Sequence, residues 1–195
     1  LQAAHDGYRG PRWRHQWSMV GGANCAVHHS SEHFERRRPR GQPWHAARLT
    51  RMHPFPHVYR VNAAAEVAGS VQLTSPGLVA LSSAGPAEFD GPGDLWSPET
   101  LLTAALVDCF ALSFRAVARA SRLEWVRLEC AATGTLDRIE KVTQFTAFTV
   151  HAVLEVPRGT DLEKARKALE KSEQVCLISN SLKGDKHLEI EIREI

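Results

Sequence analysis

Apolar residues along this chain follow different rhythms, and each rhythm predicts a different element. From Leu101 to Val117 they fill nearly every position, with charge only at Asp108 and Arg115. A helix that is apolar on all sides has to be buried. Ser97-Pro98-Glu99-Thr100, just ahead of it, reads as a helix start, with Ser97 as N-cap, Pro98 at the first helical position and Glu99 against the positive end of the helix dipole. The helix is expected to run to about Ala120. Trp125–Asp137 and Val142–Val156 alternate instead with the period of two of half-buried strands. In the second of these, Phe145, Ala147, Thr149, His151 and Val153 share one face, with Thr146, Phe148, Val150, Ala152 and Leu154 on the other. Pro157-Arg158-Gly159 ends that strand. Thr160 or Asp161 then caps an amphipathic helix to about Gln174, whose stripe is Leu162, Ala165 and Leu169, with Cys176 near its end.

Shorter runs complete the pattern. His57–Glu66, Ser70–Ser75 and Leu78–Ser82 read as a meander of three strands, punctuated by Gly69 and by the turn dipeptide Pro76-Gly77. Gly85–Gly93 is a loop rich in Pro and Gly. After Lys183-Gly184-Asp185, the stretch His187–Ile195 is a last strand with Leu188, Ile190 and Ile192 inward. The order is β-β-β-α-β-β-α-β, an α+β fold of antiparallel strands around a buried central helix. One small sheet cannot cover a helix that is apolar all round, so a second copy of the chain is expected to share in burying it.

Charge divides the chain in two. Residues 1–51 carry nine Arg, no Lys and three acids, a net +6, whereas residues 52–195 carry a net −4. Six of the ten His and three of the five Trp also fall in the first stretch, which shows no sustained period. Such a segment has little apolar surface with which to repay its ordering entropy. Residues 1–51 are therefore expected to be a disordered or non-native basic arm, and residues 52–195 one domain. No run approaches eighteen apolar residues, so no membrane span is expected, and there is no secretory leader pattern. Four scattered cysteines do not make a disulfide scaffold, and a reducing cytoplasm is the expected compartment.

Cys25, His28, His29 and His33 have a spacing compatible with a metal, but no second ligand pair accompanies them, and no metal site is expected. The basic arm would give only weak, unspecific contact with nucleic acid, and no such partner is expected. Cys130, His151 and His187 sit singly on strands and read as packing, surface or satisfied groups. Cys109, inside the apolar helix, and Cys176, after the second helix, read by themselves as small core residues.

Two motifs alter that reading. Gly93-Asp94-Leu95-Trp96-Ser97-Pro98-Glu99-Thr100-Leu101-Leu102, with Cys109 ten residues beyond Glu99, resembles the first cysteine motif of the OsmC/Ohr family. Cys176-Leu177-Ile178-Ser179-Asn180-Ser181-Leu182 resembles its second. The resemblance covers about residues 58–195 and is nearer to the OsmC-like branch. It implies an intertwined homodimer with active sites between subunits. It also implies thiol-dependent reduction of organic hydroperoxides, and less selectively of hydrogen peroxide. By motif position Cys109 is the attacking thiol, Cys176 the resolving thiol and Glu99 the polar partner. No bound cofactor is implied, only an external dithiol reductant, lipoyl or other. The family's activating Arg near the first hairpin has no counterpart in Ala65-Glu66-Val67-Ala68-Gly69, and Arg60 is the nearest substitute in sequence. The alternative on the same fold is a non-catalytic protein that holds a small or lipid-like ligand between subunits.

Overall fold

The computed structural model describes residues 54–195, so the expectations for residues 1–51, including the Cys25 and histidine cluster, lie outside the described residues. The fold is α+β. Three short strands come first: β1 (Asn62–Ala64), β2 (Val71–Thr74) and β3 (Leu81–Ser83). They form an antiparallel sheet in that order, with Ala63 opposite Leu73 and Gln72 opposite Ser82. A long helix α1 (Pro98–Ser121) follows, then strands β4 (Arg127–Ile139) and β5 (Val142–Val156). Helix α2 (Leu162–Val175), one-turn helix α3 (Leu177–Ser181) and β6 (Asp185–Glu194) complete the chain. The second sheet has the order β4-β5-β6.

The start of α1 forms as its sequence predicts. The Ser97 hydroxyl accepts from Thr100 N–H at 3.2 Å, and Thr100 Oγ1 accepts from Ser97 N–H at 2.8 Å. This reciprocal pair satisfies two donors that the first turn would otherwise leave unpaired. Arg122, with φ of 51°, ends the helix in the left-handed region. Asp161 caps α2 by accepting from Lys164 N–H at 3.0 Å.

The core lies between α1, α2 and the inner face of β5. Leu106, Phe110, Phe114 and Ala118 form its α1 stripe at four-residue spacing. Phe148, Val150, Ala152, Leu154 and Val156 come from β5, and Ala165, Ala168 and Leu169 from α2. The Phe114 ring meets Trp125 edge-on, with centroids 5.3 Å apart.

Four features depart from the sequence pattern. First, β6 runs parallel to β5, with Val150 opposite Leu188. The α2–α3 crossover carries the chain back across the sheet, and such a crossover delivers a parallel strand. Second, a bulge opposite Thr135 and Leu136 leaves Thr146 without a ladder partner, since Phe145 pairs with Leu136 and Ala147 with Thr135. One extra residue reverses the parity of a strand. Phe145 therefore joins Phe148 instead of opposing it, and the two rings stack with centroids 5.0 Å apart. Third, β1 is three residues long, where the apolar run reached from His57 to Glu66. Residues 54–61 are exposed chain outside the ladder, because the four-residue β2 offers no longer partner.

The fourth departure concerns α1. Only its single stripe is buried within one chain, and Leu112 on the far side is 52% exposed. By length and composition alone α1 is long and apolar enough to cross a membrane. Here its stripe is the centre of the core, and the core helix of a soluble fold meets the same criterion.

Candidate active site

Helix α1 carries Cys109 half-buried in its middle, on the side that meets α3. Cys176 lies at the corner between α2 and α3 and is fully buried. The Ser-Asn-Ser-Leu run that follows it builds this corner bond by bond. Ser179 N–H donates to Cys176 Sγ at 3.4 Å, so the sulfur serves as the N-cap of α3. The Asn180 amide donates to Gln174 O at 3.0 Å and closes the end of α2. The Ser181 hydroxyl donates to Leu177 O at 2.8 Å. Leu182 is half-buried against the core. Each residue of this Ser-Asn-Ser-Leu run thus has a structural task, and together they fix where the sulfur sits.

Cys109 lies near enough to the Cys176 thiol to act on its titration. Burial pushes the Cys176 thiol up to about 11. The Ser179 N–H works against this, while a side-chain hydrogen bond and charge repulsion from Cys109 add to it. A thiol so placed carries its proton at neutral pH. Cys130, half-buried on β4, is also raised to about 11, by burial alone. It belongs with the packing residues.

Glu99 lies elsewhere. Ten residues at 1.5 Å rise separate it from Cys109 by about 15 Å along α1. It lines a groove of about 560 Å³ over the first turns of the helix, with Trp96, Phe89, Thr103, Val107 and Phe145. Its Oε2 is shut away from solvent and has no hydrogen-bond partner among the described residues. Gly134 floors the groove. A Cβ there would lie 2.7 Å from the Phe145 ring, so the absent side chain is what admits the ring. Val107, nearest the cysteine in sequence, is two residues from it and so points about 200° away. This groove and the two cysteines are therefore separate places on a single chain.

Arg60 is exposed in the stretch leading into β1 and forms no hydrogen bond or ion pair with the described residues. Asp108 is exposed, turned from the neighbouring sulfur. His151 is half-buried on the face of β5 away from the helices, and its Nε2 lacks a partner among the described residues, contrary to the expectation of a surface or satisfied group. No group of three metal-ligating side chains occurs among the described residues. Two participants escaped the sequence reading. Gly134 carried no motif, and neither did Lys186. Its ammonium in fact donates to Ser179 O at 3.2 Å and Leu182 O at 3.4 Å beside the Cys176 corner.

The profile of the family described as OsmC-like protein matches residues 91–191, just over half of the chain. The uncharacterised protein YmaD of Bacillus subtilis is 27% identical over 114 residues, which cover 54% of this chain and 73% of YmaD. Two solved structures share the fold. An OsmC-like protein of unknown function from Vibrio cholerae superposes with a TM-score of 0.63 at 17% identity, covering 69% of this chain and 99% of its own. An organic hydroperoxide resistance protein from Legionella pneumophila gives 0.58 at 23%, covering 73% and 100%.

Proposed function

The chain belongs to the OsmC-like family, and on that premise we propose that it is a cysteine-based peroxidase. It reduces organic hydroperoxides and, less selectively, hydrogen peroxide. The observation that carries this reading is the nearness of Cys109 to Cys176, two cysteines 67 positions apart in sequence, where α1 packs against α3 and the core cluster. Two cysteines serving only as filler have no need to meet.

The cycle balances as follows. The Cys109 thiolate attacks the terminal oxygen of ROOH; the O–O bond breaks, an alkoxide leaves and takes up a proton, and Cys109 becomes a sulfenic acid. The Cys176 sulfur then attacks the Cys109 sulfur. Its own proton and the departing hydroxyl leave as water, and a disulfide remains. An external dithiol, lipoyl or other, reduces that disulfide by exchange, and is itself oxidised. A reducing compartment such as the cytoplasm supplies such thiols. Cys109 is the half-buried thiol of the pair and so the one that a peroxide reaches first.

The reading extends to a homodimer. Tyr59, Val61, Leu78 and Val79 are exposed around the first sheet, and Leu112 on the outer side of α1. A second copy covers such surface. It would also give a part to Glu99, which cannot touch the cysteine of its own rigid helix. Were the two α1 helices of a dimer to pack antiparallel, the groove of one chain would approach Cys109 of the other; the Glu99 Oε2 that lines it has no hydrogen-bond partner among the described residues. Arg60 remains the candidate for that donor. Replacing it with an uncharged residue is expected to slow peroxide reduction at least tenfold.

A second reading has its own support. The 560 Å³ groove, mostly apolar and with one unpartnered carboxylate oxygen, is also what a protein that only holds a small apolar ligand presents. Steady-state turnover of a bulky organic hydroperoxide with a dithiol reductant, beside hydrogen peroxide, separates the two. Turnover that needs Cys109 supports the enzyme, and its absence with Cys109 still a free thiol supports the binding protein.

A further inference from the structure

We infer that Lys186 is the positioning residue that holds the Cys176 corner against Cys109 for the resolving step, an inference that rests on the peroxidase reading above. Lys186 is the second residue of β6 and lies opposite Phe148 of β5, whose ring is part of the core beneath α1. It is therefore fixed to the sheet. Its ammonium reaches across to two carbonyls at the end of α3, those of Ser179 and Leu182. The other side-chain hydrogen bonds of this corner are internal to α2 and α3: Ser179 to Cys176, Asn180 to Gln174 and Ser181 to Leu177. Those bonds survive if the corner shifts as one piece. The bonds from Lys186 do not, because they tie that piece to the sheet.

Ser179 is the link. Its N–H is given to the Cys176 sulfur and its carbonyl receives the Lys186 ammonium, so the clasp is one residue removed from the reacting atom. Lys186, Cys176, Ser179, Phe110 and Phe148 also surround one void of about 10 Å³, room for a single water at most. The corner has little slack while the clasp is closed. Burial, Ser179, Cys109 and Ile178 account for the shift of the Cys176 thiol, and Lys186 is not among its causes.

The chemistry makes position count at one step. A disulfide closes only with Cα atoms about 4.4–6.8 Å apart. Cys109 is carried by a rigid helix, so the approach depends on the corner. While Cys109 waits as a sulfenic acid, two reactions compete for it. Cys176 gives a disulfide and water, whereas a second hydroperoxide gives a sulfinic acid and an alcohol. Opening the clasp lengthens the wait and favours the second.

The experiment uses the full chain as wild type, K186M and K186R. Each is titrated with one to twenty equivalents of cumene hydroperoxide, and mass spectrometry gives the ratio of Cys109 sulfinic acid to Cys109–Cys176 disulfide at equal peroxide consumed. The expected result is a ratio at least threefold higher in K186M, returned to the wild-type value in K186R, which keeps donors for both carbonyls. K186A answers the same question should K186M not fold. A wild-type disulfide together with an unmoved ratio in K186M overturns the clasp and leaves the peroxidase reading standing, as does a ratio in K186R as high as in K186M. A wild type that forms neither product overturns both.

Discussion

At the scale of single residues, the two thiols differ in access. Cys109 is half-buried, while Cys176 is closed off and its thiol is pushed up to about 11. Alkylation at pH 7.5 is therefore expected to modify Cys109 well before Cys176, as peptide mapping over time would show; equal rates would contradict the placement of Cys176. The same burial links stability to pH. A thiol whose pKa rises on folding, from about 9 to about 11, binds its proton more tightly in the folded state. Its contribution is fully present below pH 9 and is lost as pH climbs through 11. Cys130 and Cys176 add in the same direction, so denaturant midpoints should fall between pH 9 and pH 11, and fall less in Cys130→Val. A midpoint that is flat across that window would mean that neither thiol is shielded as described.

At the scale of elements, the bulge in β5 shapes the groove. It turns Phe145 to the helix side, where Gly134 makes room for the ring. Gly134→Val is expected to displace the ring, narrow the groove and cost about 1–3 kcal/mol as overpacking. Chemical denaturation measures that cost, and a neutral effect would show that the ring moves freely. The bulge also marks a limit of the sequence pattern. Strict alternation put Phe145 opposite Phe148, because an extra residue in a strand leaves no trace in the hydrophobic period. The caps of α1 and α2 were legible, since Ser97-Pro98 and Asp161 act through local bonds. The direction of β6 was not, because pairing in a sheet is decided by the crossover and not by the strand. In the same way the cysteine motifs indicated which thiols to watch. The Lys186 bonds to Ser179 and Leu182 join residues seven and four apart through a turn, and only the folded corner brings them together.

At the scale of the whole molecule, a single chain is left with apolar surface on the first sheet and on one side of α1, and with the Glu99 groove remote from the thiols. The proposed second copy would account for all three. Sedimentation is expected to give a dimer at micromolar concentration, and Leu112→Glu, on the outer side of α1, is expected to weaken it. A native-like monomer would remove the shared site and, with it, any part for Glu99 in the reaction. The thiol pair would stand, since it lies within one chain. It is on this pair that the account rests, and one measurement addresses it directly. The reduced protein is treated with one equivalent of an organic hydroperoxide, and its cysteines are mapped by mass spectrometry. The account predicts a disulfide between Cys109 and Cys176, no oxidation in Cys109→Ser, and a Cys109 sulfenic acid that passes to sulfinic acid in Cys176→Ser. A wild-type Cys109 that remains a free thiol in excess peroxide would contradict it.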